Sequence, residues 1–222
     1  MIENQRDVGT DIIRFHRLIT RSLEIVIQNV NKFLERGAIE ELNREGFLKY
    51  AQSFSIVLEA HHVLENEKIF PYFMDKLPDA PYDRLLTQHE WIKTSLSQIN
   101  SGINNLKSNV HELESLNLLK TSLGQIDKIW HPHIQIEENQ IYGRVESLNL
   151  SLKENNRLKE EFTMFFGEHA QPANLVMPFV LYNLSPDDRA VLASALPEKV
   201  TKQLIPIDWK DEWASMQPFL IK

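Results

Sequence analysis

The chain has 222 residues, of which 42% are hydrophobic; it contains no cysteine and carries a formal net charge of −7. That length suits one large domain, or one domain with a substantial extension, and the missing cysteines exclude disulfides, thiolate metal sites and cysteine nucleophiles. The negative balance, with no basic stripe, argues against nucleic-acid binding, and no stretch approaches the roughly 18 apolar residues that a membrane span requires.

The N-terminus, Met1 to Asp7, is polar and lacks the apolar run of a secretory leader, so a cytoplasmic protein is expected. A first helix is predicted over about residues 8–36, where Ile12, Phe15, Ile19, Leu23, Ile27, Val30 and Phe33 recur at helical period and Gly37 supplies a stop. A second runs from about 43 into the low seventies, ending near Pro71, with Pro78 and Pro81 marking the turn. The third is expected over about 82–109 and the fourth over about 112–147. Pro132 lies inside the fourth and predicts a kink beside His133, or a helix in two pieces. There is no strand or hairpin signal. The fold class is therefore all-α: an up-down-up-down four-helix bundle over residues 1–150, then a C-terminal helical extension over 151–222.

The extension opens with a helix from Leu152 to Phe166 that Gly167 closes, and Ser185-Pro186 reads as a capped helix start. Trp209, Trp213, Met216 and Phe219 then form an apolar face that packs on the bundle.

Within the bundle the sequence repeats. His61 and Glu65 stand four residues apart, on one face of a helix and about a turn from each other. The same pair returns 72 residues later as His133 and Glu137, and both copies continue with isoleucine and an aromatic residue, Ile69-Phe70 and Ile141-Tyr142. A lone histidine precedes each pair, His16 and His89, 73 residues apart and each flanked by aliphatic residues. The first 150 residues thus read as two copies of a helical hairpin. The connections are centred near residues 40 and 110, and the four histidines lie about 21 to 24 residues from them. At roughly 1.5 Å per residue they fall within about one helical turn of a common level.

His16, His61, Glu65, His89, His133 and Glu137 are therefore candidate metal ligands. Four imidazoles and two carboxylates are too many for one tetrahedral zinc and suit two transition-metal ions bridged by the carboxylates, with His16 and His61 on one ion and His89 and His133 on the other. Iron suits this donor set, as do manganese and zinc. Fewer than six protein ligands per ion leaves positions open for water, dioxygen or peroxide. His62, rotated about 100° from His61, is a candidate for an added ligand, as are His131 and His169. His111, Glu67 and Glu138 are expected in solvent, and Phe15, Trp91 and Trp130 in the core.

This constellation resembles the hemerythrin-like (histidine–histidine–glutamate cation-binding) family over about residues 8–147: the lone His16, the His61–Glu65 pair followed by Phe70-Pro71, the lone His89, and the His133–Glu137 pair followed by Glu138. The resemblance implies a four-helix bundle around a non-haem centre of two iron ions, oxo- or hydroxo-bridged, used by relatives for oxygen carriage, oxygen or iron sensing, or peroxide chemistry. One position departs. Oxygen carriers of the family have a further histidine four residues after the third-helix ligand, where this chain has Lys93. Ferritin-like bundles use two glutamate-x-x-histidine pairs, and only Glu59 and His62 have that spacing here.

Three functions are in view. The first is a non-catalytic protein that binds or senses oxygen or iron, for which the symmetric set without a recognisable substrate pocket speaks. The second is a di-iron oxidoreductase acting on peroxide or oxygen, for which the open coordination implied by Lys93 speaks. The third is an interaction module with a degenerate site, suggested by the aromatic extension.

Overall fold

A computed structural model describes residues 7–221, and all of their regular structure is helical. The polar residues 1–6, on which the reading of a missing leader largely rests, lie outside the described part. The first helix, α1 (Val8–Arg36), begins at Asp7, whose carboxylate accepts the Thr10 N–H at 2.8 Å, and ends at Gly37 in the left-handed conformation, φ 78°. The second, α2 (Glu41–Leu64), continues through a π turn (Glu65–Ile69) into the short helix α3 (Phe70–Met74). The widened turn immediately precedes Pro71, whose ring would crowd the Glu67 carbonyl in an unbroken α-helix. Helices α4 (Tyr82–Lys107) and α5 (Glu112–Gln140) form the second hairpin.

These long helices pack as a ring: α1 against α2 and α5, and α4 against α2 and α5. Helix α5 runs through Pro132 as one element. It stops earlier than the periodicity predicts. Ile141 leaves helical geometry at φ −123° and ψ −73°, Gly143 follows as a poor helix former, and two short 3-10 turns, Tyr142–Arg144 and Glu146–Leu148, complete the segment.

The bundle interior is layered. One apolar cluster includes Leu18, Ile19, Ala60, Ile92 and Trp130 and extends toward the α1–α2 and α4–α5 connections. A second gathers Ile12, Leu64, Phe70, Leu85, Ile141 and Tyr142 at the other end. The residues between these two sets along each helix are the histidines and glutamates of the repeat, which form a polar layer separating the clusters.

Beyond the bundle, α6 (Leu152–His169), α7 (Ala173–Asn183) and the 3-10 segment Ala214–Phe219 lie along α2, joined by α8 (Pro186–Ala193), a π segment (Val200–Asp208) and α9 (Lys210–Trp213). Ser185 caps α8 as its sequence suggests, whereas α6 continues through Gly167 to His169. Trp213, Met216 and Phe219 are buried, with the Phe219 ring 6.1 Å from Phe47. Tyr50 of α2 donates to Asn183 Oδ1 at 2.6 Å. Gly46 permits the closest approach: a Cβ there would overlap the Ser215 carbonyl. Among the described residues no helix is long and apolar enough to cross a membrane.

Candidate metal centre

Each long helix contributes to the polar layer. His16 comes from α1; His61 and His62 end α2, with Glu65 opening the π turn; His89 comes from α4; His133 and Glu137 come from α5. All seven are buried, and none is more than 5% exposed. The imidazole rings converge: His16 and His61 are 5.2 Å apart between centroids, His89 and His133 4.8 Å, and His62 stacks on His89 at 4.1 Å.

The donor atoms face one another. His61 Nε2 and His89 Nε2 each lie 3.4 Å from Glu65 Oε2. His16 Nε2 stands 3.4 Å from Glu137 Oε2, and His133 Nε2 3.2 Å from Glu137 Oε1. Ligands held at about 2.1 Å from one ion stand about 3.0–3.4 Å from each other, so these separations are those of atoms sharing an ion. The atoms divide into two groups, each within 4.8 Å: His16, His61, Glu65 and Glu137, and His62, Glu65, His89 and His133. Glu65 belongs to both, and Glu137 Oε1 also comes within 3.6 Å of His89 Nε2.

The chemistry of this donor set fits a metal ion. The Nε2 atoms of His16, His61 and His62, Glu65 Oε2 and both Glu137 carboxylate oxygens are buried without a hydrogen-bond partner. A buried polar atom left so is costly, and a buried carboxylate more so. These six atoms point into one space, and cations there would satisfy them together.

The model of the hemerythrin HHE cation-binding domain matches residues 9–145, more than half of the chain. The chain belongs to the hemerythrin HHE cation-binding family. Neither the curated proteins nor the solved structures compared with it give a match. The family accounts for the bundle and for a cation at its centre, and the buried histidine–glutamate layer is where this hemerythrin-like chain would hold it.

Three rings are tethered at their outer nitrogen. His16 Nδ1 donates to Glu138 Oε1 at 2.9 Å, His89 Nδ1 to Asn66 Oδ1 at 2.6 Å, and His133 Nδ1 to Gln88 Oε1 at 3.0 Å. Each acceptor is an oxygen with no proton to give, so Nδ1 carries an N–H and Nε2 is the nitrogen turned inward, where a cation would take its lone pair. The Tyr142 hydroxyl donates to Glu65 Oε1 and fixes that carboxylate from the opposite cluster.

Burial sets the proton affinities of the ion-free layer, and the carboxylates modify them. At His16 burial disfavours the charged ring, but the hydrogen bond with Glu138 and the nearby Glu65 and Glu137 carboxylates prevail, raising its pKa to about 9. At His61 burial prevails over the Glu65 charge, lowering it to about 4. His62 is pushed well below the usual range by burial and by the neighbouring imidazoles. At Glu137 burial is outweighed by His133 and His89, which hold the carboxyl well below its ordinary value. Burial and the charges of Glu65 and Glu137 push the Tyr142 phenol up.

The six residues of the repeat are thus brought together at one level. His62 joins them, whereas Lys93, His131 and His169 are exposed. Lys93 offers no imidazole to the layer, and the His62 ring of the neighbouring α2 lies against His89. Glu138, expected in water, is the His16 tether and only partly exposed, and Trp91 is exposed at 56% rather than in the core. Trp130 is fully buried, and its indole N–H donates to Thr20 Oγ1 at 2.8 Å. The tethers had a signal in the sequence. Asn66, Gln88 and Glu138 each adjoin a predicted ligand but tether a ring on another helix, so adjacency alone did not reveal their partners.

Proposed function

We propose that this chain holds two iron ions in the polar layer and uses them to bind or sense dioxygen or iron. The observation that carries the reading is the pair of overlapping four-ligand groups sharing Glu65. His16 and His61 would serve one ion, His62, His89 and His133 the other, and Glu65 and Glu137 would bridge them. Manganese or zinc would suit the same nitrogens and oxygens.

Such a pair of ions supplies Lewis acidity and one-electron redox chemistry toward a small ligand. The chain supplies the rest. Glu138, Asn66 and Gln88 keep the protons of three rings on Nδ1, so that Nε2 is free to ligate. Tyr142 keeps its proton on the hydroxyl, aimed at Glu65. The apolar clusters above and below exclude water and so limit side reactions of a reactive guest. Five imidazoles supply the nitrogen count that Lys93 puts in question, which favours ligand binding over an open, catalytic coordination sphere.

Anaerobic loading with ferrous iron tests this. About two irons per chain, and near-ultraviolet charge-transfer absorption that develops on exposure to air, are expected; a chain that takes up one iron or none rejects the reading. Tyr142 favours a second reading of the same centre, an oxidoreductase acting on peroxide or dioxygen. Repeated turnover of hydrogen peroxide, reduced in Tyr142→Phe at unchanged iron content, would select it.

A further inference from the structure

The C-terminal extension creates a cavity that the bundle alone would not have. It lies where α6 and α7 cross the open flank of α1 and α2, and its volume is about 230 Å³. Its walls include Ile12 of α1, Phe162 and Phe166 of α6, and Met177 and Val180 of α7. His61 also lines it, the same ring whose Nε2 faces Glu65 at 3.4 Å. One imidazole therefore touches both the cavity and the metal centre.

We propose that this cavity binds a small uncharged apolar molecule, a short hydrocarbon chain or a single substituted aromatic ring, and presents it to the centre through His61. Three features select that class. The lining surface is mainly aliphatic and aromatic, with Thr163 and His61 its uncharged polar members, and ordered water requires several polar partners, which such walls offer sparingly. The charged lining residues, Lys159 and Asp11, stand 4.0 Å from each other, and Asp11 pairs more closely with Arg14 at 2.5 Å, so the charges are answered within the protein and do not call for a charged guest. An apolar cavity of roughly 150 Å³ accommodates benzene, and in proportion this one has room for about nine or ten carbon atoms. The site lies between the matched family domain, residues 9–145, and the helices that follow it. It belongs to this chain's own extension, and its occupancy does not depend on which metal the centre holds.

The test uses the full chain without added metal, with n-propylbenzene as the probe. Saturable one-to-one binding by calorimetry is expected, with a raised unfolding midpoint and shifted NMR resonances of the Val180 methyls and the His61 ring. Val180→Phe, which fills the cavity from α7, should weaken binding at least tenfold while leaving metal uptake of the loaded protein unchanged. Met177→Phe, at a partly exposed position, serves the same purpose if the first variant does not fold. Absence of saturable binding, or binding unchanged in a folded filled variant, overturns the proposal. So does binding that leaves the His61 ring unperturbed.

Discussion

A hydrogen bond of 2.9 Å from His16 to Glu138 decides which nitrogen of that ring faces the centre. Glu138→Ala releases the ring and should weaken metal affinity about 10- to 100-fold, the usual effect of losing such a partner. Glu138→Gln keeps an acceptor oxygen and should recover most of it, as a chelator competition would show. His62 makes a sharper case. It was one of three candidates for an added ligand on the sequence, because a ring rotated about 100° along the helix points away from its neighbour's partner. The bundle brings α4 to that side, and His62 meets His89 at 4.1 Å. His62→Ala should lower bound metal from about two ions per chain toward one, measured by elemental analysis, with helicity unchanged. The six residues of the repeat were legible because the two histidine–glutamate pairs are spaced within a helix and the two lone histidines recur at nearly the same interval. The tethers were not, because each spans two helices.

At the scale of elements, two joints are open to test. The Glu112 carboxylate, at the start of α5, accepts the Ile39 N–H at 2.6 Å and pairs with Arg44 at 2.5 Å, joining the first connection to the second hairpin. Its burial is outweighed by these two partners, which lower its pKa below the ordinary 4.5. A carboxyl so lowered stabilises the fold above its ordinary pKa and loses that effect as pH falls through the native value. Glu112→Gln should therefore be less stable by about 1–2 kcal/mol at neutral pH. That difference should shrink in urea titrations run progressively below the ordinary value of 4.5. The other joint is Gly46, where α2 meets the Ser215 carbonyl. Gly46→Ala should destabilise by about 1–3 kcal/mol through overpacking, seen as a lower denaturant midpoint. Helical periodicity located the long helices well, since it reports which face is buried. It extended α5 past Gln140 because an apolar pattern continues through Ile141 and Tyr142 whether or not the backbone stays helical.

For the whole molecule, the centre is a stability device as well as a binding site. Two carboxylates with no exposure lie between two apolar clusters, a placement that is costly unless cations balance it. A metal that binds only the folded chain stabilises it by mass action, by about 4 kcal/mol at a thousand times its dissociation constant. Loading with ferrous iron should raise the thermal midpoint, and chelation should return it to the lower value. A midpoint indifferent to metal would separate the polar layer from cation binding.

The amino-acid sequence by itself determined that the chain is helical, that its first 150 residues are a repeated hairpin, and that six side chains lie near one level. All of these follow from the 3.6-residue period and from rise along a helix, which are local properties. Tertiary structure alone decided that His62 enters the centre, that Glu138, Asn66, Gln88 and Tyr142 orient its members, and that the extension forms a cavity lined in part by His61. Those relations are between residues on different helices. They depend on how the bundle closes and on where the last helices cross it, and spacing along the chain does not encode either.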